Sequence, residues 1–216
     1  MKIIEVQQNT SAWLQARCGV VTASEFDNVI SPEWKARTGQ GVETFMLRKV
    51  AERAMGYPQQ IFTGSGATEQ GKLLEERAIP YYEFAHNAEI QRVGFCTTDD
   101  GKVGCSPDGL LGEEGGIEVK CPEHHTHVKY LLGGVVPKDY LAQVHGSMFV
   151  TGRKWWIFMS YSAFFPPLII RVERNEVIQT AIRETLSRFV GELDVAEEKI
   201  RAIIANHNNQ TARQSA

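Results

Sequence analysis

The stretch that decides the fold is Cys105–Pro122, "CSPDGLLGEEGGIEVKCP", which holds four acidic residues, one lysine and two cysteines. Short apolar runs on either side of a Gly-rich turn predict an antiparallel hairpin. On the second strand, Glu118 and Lys120 are two residues apart, so their side chains leave the same face while the apolar residues between and around them face a core. Antiparallel pairing would bring Asp108, on the first strand, close to Glu118.

This grouping has a chemical use. Two carboxylates held together repel each other unless a cation lies between them, and their oxygen atoms suit Mg²⁺ or Mn²⁺. Asp108 and Glu118, with the backbone carbonyl of Val119, are therefore candidate metal ligands. Lys120 is suited to orient or activate a water molecule, or to neutralise charge on a phosphate. Glu-x-Lys tripeptides are also common in ordinary half-exposed strands. From these residues alone, Glu118 and Lys120 could equally be polar positions on an exposed sheet face without a catalytic role.

Composition leaves the partner open. The chain has 216 residues and a net charge of -3, so any nucleic acid would have to meet locally concentrated Lys and Arg. It contains no apolar run of membrane-spanning length and no signal-peptide core, which predicts a soluble intracellular protein with reduced cysteines. The four cysteines lack close-set pairs, and "HHTH" at 124–127 lacks paired cysteines, so we expect neither zinc nor an iron–sulfur cluster.

The order of elements predicts an α/β (α+β) fold with a mixed central sheet flanked by helices. Residues 1–204 are expected to form a single domain, and residues 205–216 a flexible polar tail. Strands are expected in "EIQRVGFCTT", "KVGCSPDGLL", "GIEVKCP", "KWWIFMSYS" and "PLIIRVER". Helices are expected at 22–30, which opens with a Thr22/Glu25 capping box, at 42–55, at 68–79 with Pro80 ending or kinking it, at 138–149, and at 175–204.

The hairpin also carries a family resemblance. Pro107-Asp108, followed after nine residues by Glu118-Val119-Lys120, matches the PD-(D/E)xK signature of restriction-endonuclease-like nucleases. With it, "ARCGVVTASEF" (16–26), "GKLLEERA" (71–78) and "YLAQVHGSMFVTG" (140–152) resemble the phage lambda exonuclease family of viral recombinases, in the family's order. The resemblance covers most of the chain from about residue 13 to residue 152 and implies a restriction-endonuclease-like core.

The resemblance implies an activity and its partners. It indicates a Mg²⁺-dependent 5′→3′ exonuclease, with Mn²⁺ as a substitute, that degrades one strand of double-stranded DNA from its ends. Such an enzyme releases 5′-mononucleotides and leaves 3′ overhangs for single-strand-annealing recombination. The same resemblance implies a toroidal homotrimer, a single-strand annealing protein as partner, no membrane association, and the cytoplasm of a bacterial host for a protein of phage or prophage origin.

Two further residues are assigned by the family match. Glu75, in "GKLLEERA", is implied to join Asp108 and Glu118 at the metal and in catalysis, although from the residues alone Glu76 competes for the role and a helix-surface glutamate is usually solvated. Gln143 is implied to act with Lys120 in catalysis by contacting water or a phosphate.

The segment before the first core helix suggests an anion site. Arg17, Thr22 and Ser24 combine an arginine with two hydroxyl groups near a helix N-terminus. The resemblance implies that they bind the 5′-terminal phosphate, whereas from the residues alone a capping Thr22 and a solvated Arg17 are equally acceptable. Lys35 and Arg37, in the Gly-containing loop that follows, are weaker candidates for contacting the duplex end.

Two other functions remain open at this stage. The same acidic hairpin would serve an endonuclease or a DNA-repair nuclease, which would not need a DNA end. A DNA-end-binding recombination module that has lost catalysis is the alternative outside the enzymes. The complete set of Asp108, Glu118 and Lys120 argues against the second.

Overall fold

Helices and short strands alternate along the chain. The computed structural model describes residues 1–59 and 69–214. Their elements, in chain order, are β1 (Lys2–Ile4), α1 (Ser11–Ala16), β2 (Val21–Thr22), a 3-10 helix (Ala23–Asn28), α2 (Gln40–Met55), α3 (Glu69–His86), β3 (Ile90–Gln91), β4 (Phe95–Thr97), β5 (Val103–Cys105), β6 (Gly109–Leu111), β7 (Gly115–Lys120), α4 (His124–Gly133), α5 (Lys138–Thr151), β8 (Trp155–Ser160), β9 (Leu168–Glu173) and α6 (Glu176–Gln214).

The predicted α/β class is confirmed, but the strands form two sheets rather than one central sheet. The first has the order β1-β4-β5-β2 and the second the order β3-β6-β7-β8-β9. Both are mixed: β2 and β5 are parallel, as are β7 and β8, and the other pairs are antiparallel. The chain leaves the first sheet at Cys105 and enters the second at Gly109. Pro107, between them, has no N–H to offer a ladder, which suits it to this crossing.

The helix boundaries agree with the sequence pattern at Gly56, whereas at Pro80 the helix continues. Gly56 ends α2 in the left-handed conformation, with φ of 75°, as predicted. Pro80 does not end α3, because buried Ala78, Ile79 and Tyr82 on both sides of it hold the helix against the core. The predicted start of that helix at Thr68 lies outside the described residues.

The C-terminal segment is helical over its described length. Helix α6 continues to Gln214, past the predicted end at Ile204, although residues 201–212 are exposed. The division into one domain at 1–204 and a flexible tail stays a prediction. No helix of the described residues is long and apolar enough to cross a bilayer.

The core has two parts that meet at the acidic hairpin. One lies among the 3-10 helix, α2, α5, α6, the first sheet and residues of β6 and β8 in the second sheet, and the other between α3 and the second sheet. In the first part Phe26, on the 3-10 helix, packs against Gly146 of α5 so closely that a Cβ at Gly146 would lie 2.6 Å from its ring. This contact holds the segment before the 3-10 helix near the hairpin.

Gly116 on β7 tests how tightly the second sheet is packed. A Cβ at this position would lie 2.3 Å from the ring of Trp156, which is fully buried. We expect Gly116→Ala to lower the free energy of unfolding by about 1–3 kcal/mol, measured by chemical denaturation. Gly41→Ala in α2 is the control, because no heavy atom lies within 4 Å of its added Cβ. Equal stability of Gly116→Ala and wild type would show that the ring is free to move.

Candidate active site

The hairpin brings the two predicted carboxylates together. Strands β6 and β7 pair antiparallel with Gly109 opposite Ile117, so the next residues outward, Asp108 and Glu118, lie across from each other. Asp108 Oδ2 accepts a hydrogen bond of 2.6 Å from the backbone N–H of Val119. The predicted strand pairing is therefore confirmed.

Glu118 is the most constrained side chain of the group. Its carboxylate is 3% exposed, and Oε1 lies 2.6 Å from both Lys120 Nζ and Gln143 Nε2. Gln143 reaches the site from α5 and donates to Glu118, a contact that sequence reasoning did not foresee. Glu118 Oε2 is also buried, and no described residue donates a hydrogen bond to it.

Among its described residues, the site has more acidic than basic groups: the carboxyl groups of Asp108 and Glu118 face the single ammonium group of Lys120. Burial and the Glu118 carboxylate raise the pKa of Asp108 to about 8. Burial alone would lower the pKa of Lys120, but the carboxylates of Glu118 and Asp108 outweigh it, so the pKa rises and the ammonium group keeps its proton. The half-buried Asp108 carboxyl, whose pKa is raised despite the nearby Lys120 ammonium group, and the buried Glu118 Oε2, which accepts no hydrogen bond from a described residue, form a donor set that fits a divalent cation.

Glu75 lies beside this pair. Its side chain, on α3, is exposed and lines a cavity of about 730 Å³ together with Asp108, Val119 and Glu76. Glu75 also contributes to raising the pKa of Asp108. Among residues 1–59 and 69–214, no three His, Cys, Asp or Glu side chains are grouped closely enough to hold a metal ion by themselves. The hairpin pair is thus the centre of the site, with Glu75 on its rim.

A second, smaller pocket of about 190 Å³ adjoins this cavity. Glu75 lines both, and Arg17, Ser24, Ser106 and Gln143 line the smaller pocket. The Arg17 guanidinium lies over the ring of Trp13, 4.4 Å from its centroid. Because Trp13 contacts the flat face of the guanidinium, the N–H groups at its edge remain available for hydrogen bonds in the plane of the group.

The hydroxyl groups around Arg17 differ in what they offer a ligand. Ser106 Oγ accepts N–H groups from Arg17 and from Trp13, both at 2.9 Å, so its own proton remains for an anion. Thr22 Oγ1 accepts from Arg17 at 3.1 Å and donates to Glu25 at 2.8 Å, which uses its proton. Ser24 Oγ lies 3.4 Å from Arg17. Sequence reasoning missed Ser106, although it directly precedes the Pro107-Asp108 pair.

The structure does not bring Lys35 and Arg37 to this site. Both are exposed in the loop before α2, which a bridge between Ile30 and Ala36 closes. Arg37 donates to the Ile30 carbonyl and lines a different cavity, together with Arg188. Their contact with DNA stays a prediction.

One histidine of the "HHTH" segment and two of the cysteines are buried in the protein interior. His127 of the "HHTH" segment is fully buried, with Nδ1 2.7 Å from Ser160 Oγ and Nε2 3.0 Å from the Pro166 carbonyl. These bonds anchor α4 to β8 and to the segment before β9. Cys96 and Cys105 are buried partners on β4 and β5.

Fold and site together define the class. Mixed sheets flanked by helices, with an Asp/Glu pair and a lysine on a hairpin of the second sheet, are a restriction-endonuclease-like nuclease core. The chain belongs to the YqaJ-like viral recombinase domain family, whose model matches residues 12–154. It is a nuclease of recombination by that membership and by the solved structures it resembles.

Two of those structures are of an alkaline exonuclease (LHK-Exo) from Laribacter hongkongensis, one of them in complex with dAMP. Each is 29% identical, covers 91% of this chain and 99% of its own, and superposes with a TM-score of 0.80. A phage-related exonuclease from Haemophilus somnus 129PT is 14% identical, with a TM-score of 0.62 over 85% of this chain and 96% of its own, and shares the fold. No curated protein matches the chain significantly.

The raised pKa of Asp108 predicts a pH-dependent stability. The folded state holds this proton up to about pH 8, whereas an unfolded Asp loses it near pH 4, so stability falls as the pH rises between these values. In EDTA, we expect Asp108→Asn to be more stable than wild type by about 1–3 kcal/mol near pH 8, because the repulsion is removed, and equally stable near pH 4.

Chemical denaturation across this pH range measures the difference. Asp27→Asn, at an exposed position on the 3-10 helix, controls for the loss of one acidic group. A constant offset between Asp108→Asn and wild type at every pH would contradict the assignment.

Proposed function

We propose that this protein is a Mg²⁺-dependent 5′→3′ exonuclease that degrades one strand of double-stranded DNA from its ends, releasing 5′-mononucleotides and leaving 3′ single-stranded overhangs. The observation that carries the proposal is the adjacency of the two cavities, which share Glu75 as a wall. A pocket lined by an arginine and two hydroxyl groups suits a terminal phosphate, and the neighbouring cavity holds the acidic pair. Recognition of an end next to the acidic pair favours an exonuclease over an endonuclease.

Asp108 and Glu118 would hold the metal, with the Val119 carbonyl and Glu75 as further oxygen ligands. Glu118 Oε2 is buried and accepts no hydrogen bond from a described residue, and burial and the Glu118 carboxylate raise the pKa of Asp108; both support this assignment, because a cation would relieve the repulsion between the two carboxylates. When bound, Mg²⁺ supplies positive charge that stabilises the phosphate in the transition state and lowers the pKa of water; Mn²⁺ has the same ligand preference.

The remaining residues of the site position the reactants. Lys120 keeps its proton, so its ammonium group would donate hydrogen bonds to the attacking water and to the charge that develops on the phosphate. Gln143 would act through Glu118, whose Oε1 it holds at 2.6 Å. Arg17, Ser24 and Ser106 would bind the 5′-phosphate, and Thr22 would contribute by orienting Arg17.

The related structures support the nature of the product. LHK-Exo is described as an alkaline exonuclease, and one of its structures contains dAMP, a deoxynucleoside monophosphate. A mononucleotide product is what successive cleavage from a phosphorylated end would give.

The assembly and cellular setting are proposed from the same family resemblance. A toroidal homotrimer with DNA in its channel would concentrate basic residues around the duplex despite the net charge of -3. A single-strand annealing protein would take up the 3′ overhang. The site of action would be the cytoplasm of a bacterial host, for a protein of phage or prophage origin.

Lys120 and Asp108 test the chemistry. We expect Lys120→Ala and Asp108→Ala each to lower the rate of digestion of linear duplex DNA by at least about 100-fold while DNA binding persists. Lys154→Ala is the control, since Lys154 is an exposed lysine that pairs with Glu114 at the far end of the hairpin. Near-wild-type rates in the first two variants would refute the assignment, and cleavage of covalently closed circular DNA by the wild type would indicate an endonuclease.

The Arg17 pocket is tested with matched DNA ends. Duplexes with a 5′-phosphate or a 5′-hydroxyl group are digested with Mg²⁺ and with EDTA, and the released nucleotides are identified. We expect Mg²⁺-dependent release from the 5′ end and a preference for the phosphate, which Arg17→Ala reduces at least about tenfold because a charge-assisted contact is lost. Release of nucleotides from the 3′ end would contradict the proposed polarity.

A further inference from the structure

Glu25 has no place in the site described above, yet it contacts the residue that orients Arg17. Its Oε2 accepts the Thr22 hydroxyl at 2.8 Å and the Thr22 backbone N–H at 3.4 Å, which completes the predicted capping box. Burial alone would raise the pKa of Glu25, but Lys49 and the hydrogen bond from Thr22 lower it overall, so the carboxylate is ionised and accepts only.

The direction of each hydrogen bond follows from this charge. A hydroxyl group has one proton, and Thr22 must give that proton to Glu25. Its lone pairs are then turned toward Arg17 Nη2, 3.1 Å away. Arg17 Nη1 donates to Ser106 Oγ, so the guanidinium is held at both ends of its planar fork. The hydrogen bonds from Arg17 to Thr22 and from Thr22 to Glu25 thus fix Arg17, the one cation among the described residues that line the proposed phosphate pocket.

Two basic residues of helix α2 hold the Glu25 carboxylate in place through ion pairs. Lys49 Nζ lies 3.0 Å from Glu25 Oε2 and 3.3 Å from Glu52 Oε2, and Arg48 Nη2 lies 2.9 Å from Glu25 Oε1. Lys49 and Glu52 are each 4% exposed. Glu52 Oε2 also accepts the backbone N–H of Gly19, at 3.0 Å, in the loop between Arg17 and Thr22. A buried ion network therefore ties this loop to a helix that does not touch the proposed ligand.

We propose that Glu25 is a positioning residue that sets the preference for 5′-phosphorylated ends, acting through Thr22 on Arg17, with Lys49 and Arg48 holding its carboxylate. This inference rests on the proposed function. It assigns end selectivity to a side chain that lies outside the phosphate pocket.

A purely structural capping role for Glu25 would give a different result. Loss of a cap lowers stability and the rates on both kinds of end alike. Loss of the orientation of Arg17 lowers the rate on phosphorylated ends more than on hydroxyl ends. The ratio of kcat/KM for the two ends therefore separates the two roles.

The experiment measures that ratio for wild type, Glu25→Gln, Arg17→Ala and the control Glu43→Gln, an exposed glutamate of α2. The substrates are identical linear duplexes with a 5′-phosphate or a 5′-hydroxyl group, in Mg²⁺. We expect the ratio to fall about tenfold in Glu25→Gln, to fall at least as far in Arg17→Ala, and to stay at the wild-type value in Glu43→Gln. Anisotropy of the same duplexes in EDTA should show a matching loss of selective binding.

Thr22 variants test the route and replace Glu25→Gln if that variant does not fold. Thr22→Val removes the hydroxyl that joins Glu25 to Arg17, and Thr22→Ser keeps it. We expect the ratio to fall in Thr22→Val and to persist in Thr22→Ser. Adding Glu25→Gln to Thr22→Val should cause no further fall, because the two residues act in series.

The outcomes separate this inference from the function on which it rests. A wild type that does not cleave, or does not prefer phosphorylated ends, overturns both. A wild-type preference that is lost in Arg17→Ala but kept in folded Glu25→Gln, or kept in Thr22→Val, overturns only the role of Glu25.

Discussion

The repulsion between two closely placed carboxylates is the constraint on which the rest of this structure depends. Asp108 and Glu118 face each other across a hairpin, Glu118 buried and Asp108 half-buried beside a cavity, where like charges cost more than at the open surface. Three neighbours offset that cost in part: the Val119 N–H donates to Asp108, and Lys120 and Gln143 donate to Glu118. They do not cancel it, since burial and the Glu118 carboxylate still raise the pKa of Asp108 to about 8. The fold thus keeps a place where a divalent cation is favourable.

A different arrangement of charge surrounds Arg17. Among the described residues that line this pocket, Arg17 is the one cation, and it donates to Ser106 and to Thr22, which in turn donates to Glu25. The negative centre and the positive pocket are adjacent but are supported by different elements, the second sheet for one and α2 with the 3-10 helix for the other. Each can therefore be disturbed without the other, and that separability makes the two sets of variants informative.

The sequence predicted what local rules control. The two-residue period of a strand put Glu118 and Lys120 on one face, the Gly-rich turn put Asp108 opposite, and Gly56 ended α2. It did not predict contacts between distant segments. Ser106 and Arg17 form a hydrogen bond although they are 89 positions apart in the sequence, and Gln143 and Glu118 do so across 25 positions. The packing of α5 and the two sheets brings these residues together.

Two fold details escaped prediction for the same reason. Burial on both sides of Pro80 outweighed its local cost, and the division of the strands into two sheets depends on partners that no local pattern specifies.

The short segment that connects the two sheets fixes the distance between the two parts of the site. Ser106 belongs to the anion pocket and Asp108 to the acidic centre, and a single residue, Pro107, separates them. An extended chain covers at most about 7 Å in two residues, and the proline ring removes most of the remaining freedom. The distance between Ser106 and Asp108 is therefore set by bond geometry rather than by a hinge. In the proposed function, this fixed distance would separate the bound 5′-phosphate from the bond to be cleaved, and would keep the size of the released fragment constant.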